Sequence, residues 1–176
     1  MEWKRKKYNS DGNITFEGEY KDGKRNGYIK EYYYNQKLKY EGYYIDGLKN
    51  GHFKEYDYKG NLNFEGEYLN DKRWNGKGKE FNEDYYLIFE GEYLNGERKG
   101  KSKVYYNNGD LLFDGEYKNG NWNGIGKEYY KNNKIKYEGE FLDGKWNGKG
   151  KEYFKNGKLK FNGEFLNGKK ITRRKK

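Results

Sequence analysis

A five-residue pattern returns along this chain at nearly constant spacing. It reads aromatic ring, acid or amide, glycine, any residue, aromatic ring. Five of the six steps between successive copies measure 24 residues. The remaining step, from Phe64 to Phe89, measures 25 because Leu69–Gly76 holds one extra residue. Such a period is typical of repeat arrays, whose units bury their surface only against neighbours. The seven copies are Phe16–Tyr20, Tyr40–Tyr44, Phe64–Tyr68, Phe89–Tyr93, Phe113–Tyr117, Tyr137–Phe141 and Phe161–Phe165.

The spacing within each copy is that of a β-strand. An Ile or Leu precedes the glycine by four residues, and rings lie two residues before and two residues after it. Because alternate residues of a strand share a face, this spacing predicts one apolar face and one face of Glu and Lys. The aliphatic residues that open the units are Ile14, Leu38, Leu62, Leu87, Leu111, Ile135 and Leu159.

A second segment follows each copy and begins at a glycine. Three residues later comes a lysine: Lys30, Lys54, Lys79, Lys103, Lys127 and Lys151. Five residues later comes a ring: Tyr32, Tyr56, Phe81, Tyr105, Tyr129 and Tyr153. These segments predict a second type of strand. The lysine and the ring share one parity, so the pattern leaves open which face of this strand joins the aromatic face of its neighbours.

Asx–Gly pairs, such as Asp22–Gly23 and Asn119–Gly120, connect the two strand types. They tolerate the positive φ angles of tight hairpin turns. We therefore expect an all-β fold, an elongated single-layer antiparallel meander of about 14 strands with solenoid-like repetition. We divide the chain into an N-terminal basic segment and half repeat (1–13), the repeat array (14–168) and a basic C-terminal tail (169–176).

The composition explains what holds such an array together. Aromatic residues make up 20% of the chain and charged residues 38%, so the rings must supply most of the core. The net charge of +10 is concentrated at the ends: residues 1–13 carry +2, residues 169–176 carry +6, and the long array between them carries only +2. Terminal charge runs of this kind usually form solvated tails.

The chain has no cysteine. It therefore has no disulfide framework and no thiolate metal site, which agrees with a reducing compartment. The first residues include basic side chains but no apolar run, so they predict no secretory signal, and no segment is apolar enough for a membrane span. We expect a cytoplasmic protein.

Candidates for catalysis are few. His52 is the single histidine and occupies a variable position, and Ser10 and Ser102 are the only serines. Paired carboxylates such as Glu138 and Glu140 recur in nearly every unit, which favours cross-strand ion pairing over acid–base chemistry. We expect the protein to have no enzymatic activity and to bind no metal and no cofactor.

The seven repeats carry a family resemblance that covers roughly residues 4–168, and the repeat at Tyr137 illustrates it. Tyr137, Gly139, Phe141, Gly144, Gly148 and Gly150 match the spacing of the MORN repeat, and Glu152–Phe161 (EYFKNGKLKF) is similar to its bacterial variant. The chain departs from this pattern at Ile29, Phe53, Asp71 and Lys99–Ser102, so those repeats are expected to twist differently. The resemblance implies a curved single-layer sheet. It also implies a function in binding, because members of this family act as protein scaffolds, phospholipid-binding proteins or antitoxins.

Two binding functions are compatible with the sequence, and a third role is assembly through the terminal strands. The first function is a protein-binding module, a scaffold or an inhibitor, because Trp and Tyr dominate interface hot spots. Its candidate residues are Trp74, Trp122, Trp146, Tyr32, Tyr56, Tyr105, Tyr129 and Tyr153. The alternative is binding of RNA, DNA or anionic lipid through a lysine column and the tail. Its candidate residues are Lys30, Lys54, Lys79, Lys103, Lys127, Lys151, Arg173 and Arg174.

Overall fold

The computed structural model describes residues 2–172, with side chains from residue 4 onward. All regular structure in this range is β-strand, and the paired strands are antiparallel hairpins. The chain divides into two compact units, residues 2–78 with 93–96 (unit 1) and residues 79–92 with 97–172 (unit 2). The all-β prediction is confirmed in both units.

Unit 1 is a meander in which each strand pairs with the next one in the chain. Its strands are β1 (Glu2–Tyr8), β2 (Ile14–Lys21), β3 (Lys24–Tyr32), β4 (Leu38–Ile45), β5 (Leu48–Tyr56), β6 (Leu62–Leu69) and the first residues of β7 (Lys72–Phe81).

Unit 2 continues the same arrangement from β9 onward. Its strands are most of β8 (Leu87–Leu94), β9 (Glu97–Tyr105), β10 (Leu111–Lys118), β11 (Asn121–Tyr129), β12 (Ile135–Leu142), β13 (Lys145–Tyr153), β14 (Leu159–Leu166) and β15 (Lys169–Ile171).

Residues 2–172 form 15 strands, one more than expected. The additional strand is β15, which pairs Lys169 with Leu166 and Ile171 with Glu164. The Asn167–Gly168 turn reverses the chain, and the Lys170 ammonium reaches the Glu152 carboxylate at 2.7 Å. These contacts order the first residues of a segment whose charge alone suggests a solvated tail.

The tight turns have the predicted conformation. At Asp22–Gly23 the φ angles are 49° and 80°, and at Asp143–Gly144 they are 47° and 77°. Two consecutive positive φ angles match the right-handed twist of the flanking strands. The irregular repeat turns at Asn70–Asp71, where φ is 49° and 65°. There β7 is 10 residues long, one more than β5, and its pairing with β6 shifts register between Glu67 and Tyr68.

In both units the core lies on one face of the strands, the ring face. In unit 1 it consists of Phe16, Tyr20, Ile29, Tyr44, Phe53, Phe64 and Tyr68. In unit 2 the buried rings are Phe89, Phe113, Tyr117, Tyr137, Phe141 and Phe165. The Ile and Leu residues at the start of the repeats contribute less to the core than expected, because Leu62 and Leu159 are exposed. They lie at strand ends, where pairing irregularities such as the shift at Tyr56 loosen the sheet.

One return loop holds a tyrosine in a conformation that favours glycine. Tyr85 has φ 63° and is 88% exposed, whereas the loops at Gly60, Gly109 and Gly157 have glycine at positive φ. A bulky side chain in the left-handed region costs about 1–2 kcal/mol. We expect Tyr85→Asn to raise the free energy of unfolding by about 1 kcal/mol in urea titrations. An unchanged or lower stability would show that the Tyr85 ring makes a compensating contact.

Candidate functional site

A ladder of stacked groups covers the rings of the ring face. Each strand that follows a tight turn places one side chain over the first ring of the preceding strand. In unit 1 these side chains are cations: the Arg73 guanidinium lies 4.7 Å from the Phe64 ring centroid, and the Lys49 ammonium lies 4.6 Å from the Tyr40 centroid. Cation–π contacts of this kind stabilise by about 0.5–2 kcal/mol.

Unit 2 uses indoles at two positions of the same ladder. Trp122 stacks on Phe113 with centroids 4.3 Å apart and planes 2° apart. Trp146 stacks on Tyr137 at 4.5 Å and 6°. Arg98 lies 4.1 Å from Phe89 and Lys170 lies 5.2 Å from Phe161, so cations flank the two tryptophans. Trp122 and Trp146, both half-buried, therefore each pack one ring face against a core ring.

Trp74 has a different environment from Trp122 and Trp146. The extra residue in its repeat places Arg73, rather than Trp74, opposite Tyr68. The Trp74 ring lies instead beside the next tight turn, 3.4 Å from where a Gly96 Cβ would be, and the Trp74 carbonyl accepts the Gly96 N–H at 2.9 Å. Trp74 therefore does not occupy the ladder position that Trp122 and Trp146 hold in their repeats.

A column of glutamates holds the cations and one indole of this ladder. The Glu55 carboxylate accepts Arg73 at 2.7 Å, Lys49 at 2.9 Å and the Tyr68 hydroxyl at 2.7 Å. In unit 2, Glu128 accepts the Trp146 indole N–H at 2.7 Å. In one repeat this column has a valine, Val104, instead of glutamate. The Trp122 indole N–H therefore donates to the Tyr117 hydroxyl instead. Sequence reasoning missed this column, although aligned repeats show Glu31, Glu55, Glu80, Glu128 and Glu152.

The Glu55 network predicts acid sensitivity. Burial alone would raise the pKa of Glu55, but the attraction of Lys49 and the hydrogen bonds from Arg73 and Tyr68 outweigh it, and the pKa is lowered from 4.5. A lowered pKa stabilises the fold at pH values above the unfolded-state pKa, and this stabilisation is lost as the pH falls through the folded-state pKa.

We therefore expect Glu55→Gln to cost about 2 kcal/mol at pH 7 and to flatten the decline in stability below pH 4.5. The matched control is Glu65→Gln, which removes an exposed pair with Lys54 at 3.0 Å and should cost at most about 1 kcal/mol. Urea titrations between pH 3 and pH 7 measure both variants. Equal costs at neutral pH would contradict this assignment.

The glycines of the ring face make room for rings. A Cβ at Gly126 would lie 2.7 Å from Cε2 of Phe113, closer than any real contact. In unit 1 the corresponding positions hold Ile29 and Phe53, both fully buried, and the ladder positions before them hold Arg25 and Lys49 rather than tryptophan. At Ile29 and Phe53, where the sequence departs from the repeat pattern, a bulky residue thus replaces glycine. At the neighbouring ladder position on the same face, a cation replaces tryptophan.

The opposite face, the polar face, carries the lysine column and the second ring column. Lys30 pairs with Glu41 at 3.6 Å, Lys79 with Glu90 at 3.9 Å and Lys151 with Glu138 at 3.4 Å. The Tyr153 hydroxyl donates to Glu138 at 2.7 Å, and this bond, together with Lys151, lowers the pKa of the Glu138 carboxyl. The face of the second strand type, which the sequence left open, is therefore settled: its lysine and ring lie away from the core.

A groove of about 720 Å³ opens on the polar face of unit 2. Its floor is the backbone of Gly115, Gly126, Gly139 and Gly150, which lie in register on four neighbouring strands. Its walls combine lysines, carboxylates and two apolar side chains. The lining side chains include Lys127, Lys151, Tyr129, Ile125, Asp114 and Glu138.

A smaller groove of about 370 Å³ lies on unit 1. The side chains of Lys4, Lys6 and Lys30 face Glu17 and Glu19 there, whereas the Arg5 side chain lies on the ring face, 5.8 Å from the Tyr20 ring centroid. Lys6 pairs with Glu17 at 3.4 Å. Arg173 and Arg174, predicted for the same kind of polyanion contact, lie outside the described residues.

The predicted site residues divide as follows. The groove of unit 2 brings together Lys127, Tyr129 and Lys151, while Tyr153 bonds Glu138 beside it. Tyr32, Tyr56 and Tyr105 are half buried, and Lys54 and Lys103 lie at the same repeat position as Lys127. His52 is exposed, 4.0 Å from Glu65. Among residues 2–172 no three metal-ligating side chains of the His, Cys, Asp or Glu type cluster together, and no helix could cross a membrane.

Two family models match the chain. The model described as MORN repeat matches residues 16–36, 40–52 and 137–158, and the model described as MORN repeat variant matches residues 3–22, 98–119 and 122–143. Together they cover more than half of the chain. No curated protein is significantly similar to it. MORN repeats are generally associated with protein or membrane-lipid binding and are typically non-catalytic. The chain belongs to the MORN repeat family.

Proposed function

We propose that this chain is a non-enzymatic protein-binding module, a cytoplasmic scaffold or inhibitor whose binding site is the groove on the polar face of unit 2. The observation that carries this proposal is the groove itself. It presents Tyr129 and the exposed Ile125 between charged walls. Grooves that offer apolar side chains together with placed polar groups are a recurring type of surface for recognising peptide segments.

The charges of the groove favour a polypeptide over a polyanion. Carboxylates from Asp114, Glu116 and Glu138 line the groove among its lysines. The Lys151 ammonium is already 3.4 Å from Glu138. A phosphate backbone would meet these acids as well as the lysines, whereas a peptide can supply both signs of charge and an apolar side chain for Ile125. The partner is therefore a protein segment of mixed charge.

The test is differential capture from the native cell with three forms of the protein. We expect the triple variant Lys127→Ala, Tyr129→Ala, Lys151→Ala to lose partners that the wild-type chain retains. The matched control is Lys30→Ala, Tyr32→Ala, Lys54→Ala, which changes the same repeat positions in unit 1 and should retain them. Urea titration confirms that both variants fold. A partner set unchanged by the groove variant would overturn the proposal.

A second candidate function is polyanion binding at the smaller groove of unit 1. Three lysines and two acids line that groove, so its side chains carry a net positive charge. Binding through phosphate contacts releases counterions from the polyanion, so it weakens steeply as the salt concentration rises. Retention of nucleic acid or anionic vesicles that falls with salt and is lost in Lys4→Ala, Lys6→Ala, Lys30→Ala would support this function. Salt-independent retention of proteins would favour the groove of unit 2.

A further inference from the structure

The polar face of unit 1 exposes a group of apolar side chains at its tight-turn end. We name this group the unit 1 apolar patch: Tyr28, Tyr43, Ile45, Leu48 and Leu69. Their exposed fractions range from 38% for Tyr28 to 57% for Ile45. Scattered exposed apolar residues need no explanation, but contiguous ones on a soluble surface mark interaction sites.

The members of the patch are neighbours across four strands. The rings of Tyr28 on β3 and Tyr43 on β4 lie directly opposite each other with centroids 5.2 Å apart. Ile45 and Leu48 are directly opposite across the β4–β5 hairpin. Leu69 ends β6, the next strand, at the same end of the sheet. The Tyr28 hydroxyl is satisfied by Glu41 at 2.6 Å, so the exposed part of this pair is aromatic surface.

The array itself marks the patch as unusual. At the position of Tyr43 other repeats have glutamate: Glu19, Glu67, Glu92, Glu116, Glu140 and Glu164. At the position of Leu48 four other repeats have lysine: Lys24, Lys72, Lys145 and Lys169. The fold therefore tolerates charge at these places, and core packing does not require Tyr43 or Leu48 to be apolar. Both changes from charged to apolar fall in one hairpin and on one face.

The charges beside the patch fit a second copy of the same surface. Lys30, Glu41, Lys54 and Glu65 lie in one row on β3, β4, β5 and β6, with signs that alternate. When such a row of four faces its own reversed copy, every lysine faces a glutamate. A two-fold axis parallel to the strands and between β4 and β5 produces this reversal. The same axis places Ile45 opposite Leu48 of the second copy.

We propose that the unit 1 apolar patch is the interface of a symmetric homodimer. A closed two-fold interface must be complementary to itself, and the alternating row satisfies this condition. Two sheet faces can pack with their strands within about 30° of each other. The apolar patch supplies a small core, and the charged row supplies the rim that interfaces of modest size possess. This interface lies on unit 1 and is independent of the proposed partner groove of unit 2.

The test is sedimentation velocity of the full chain at 0.15 M salt, over concentrations from about 1 to about 200 µM. We expect the wild-type chain to shift from monomer to dimer within this range. The variant Tyr43→Glu, Leu48→Lys introduces residues that other repeats carry at these positions, so it should fold. Its dissociation constant should rise at least about tenfold.

The matched control is Leu142→Lys in unit 2. Leu142 occupies the repeat position of Ile45 and is 47% exposed, but charged Lys145 lies opposite it. This variant makes a similar exchange of leucine for lysine and should dimerise as the wild type does. A wild-type chain that stays monomeric at every concentration overturns the proposal, and so does a dimer that Tyr43→Glu, Leu48→Lys leaves intact. Circular dichroism and urea titration verify that all three proteins are folded.

Discussion

Replacing Tyr137 by alanine should lower the free energy of unfolding by about 4 kcal/mol. The Tyr137 side chain is fully buried on the ring face of unit 2. It stacks on Trp146 and meets Phe141 and Phe165 edge to face, each at 5.1 Å between centroids. Its loss therefore removes one ring and takes one ring contact from each of three others. Few aliphatic side chains are near to refill the space, so relaxation can recover little of the cost.

The measurement is urea unfolding followed by tryptophan fluorescence, because Trp146 stacks on the deleted ring. The control is Tyr129→Ala, which deletes a half-buried ring from the polar face of the same unit. That control should cost about 1 kcal/mol or less. A Tyr137→Ala variant within about 1 kcal/mol of the wild-type chain would refute the role of the stacked rings as the core.

Adding a single methyl group at Gly150 should cost about 2–3 kcal/mol. A Cβ at this position would lie 2.6 Å from Cε2 of the Tyr137 ring. The φ angle of Gly150 is not in the positive region, so the expected cost of Gly150→Ala comes from the contact and not from backbone strain. The ring would have to leave its stack on Trp146, which is 4.5 Å away.

A double-mutant cycle isolates this contact. If the Tyr137 ring is the obstacle, Gly150→Ala should cost much less in a Tyr137→Ala background than in the wild-type chain. Urea titrations of the four proteins give the coupling energy. Lys149→Ala changes the exposed neighbouring residue and should leave stability within about 0.5 kcal/mol of the wild type. Costs that add without coupling would show that another neighbour opposes the methyl group.

The strands, the turns and the existence of a ring face could be predicted because each depends on local physics. Alternation places Phe64 and Tyr68 on one face without knowledge of any neighbour. The pair Asp46–Gly47 adopts the positive φ angles that its residue types tolerate. The 15th strand could not be predicted, because Lys169–Ile171 is ordered by pairing with β14 and by the Lys170–Glu152 contact rather than by its own composition.

The faces of the second strand type depend on contacts between strands. Rings usually mark the buried face, yet Tyr129 lies on the polar face, and Gly126 and Glu128 lie toward the core. This inversion arises because Phe113 on the neighbouring strand extends over Gly126, while Glu128 holds Lys136 and Trp146. The sequence contains these residues but not the register that makes them neighbours.

The binding surfaces, like the fold, could be predicted from the sequence only in part. The sequence predicts that Lys127, Tyr129 and Lys151 form columns, but it does not predict the face on which they lie, and the glycine floor between them appears only when four strands are placed in register. Trp122 and Trp146 were expected to bind a partner because tryptophan is common in interfaces. Their stacking on Phe113 and Tyr137 gives them a structural role that composition alone does not reveal.

The central claim is a division of labour, in which the ring face holds the fold and the polar face is available for partners. The most direct test compares urea midpoints of Tyr137→Ala and of the triple variant Lys127→Ala, Tyr129→Ala, Lys151→Ala. We predict that the triple variant, with three side chains removed, loses less than about half the stability lost by the single ring deletion. A triple variant as destabilised as Tyr137→Ala would contradict this account, because the polar face would then be part of what holds the sheet together.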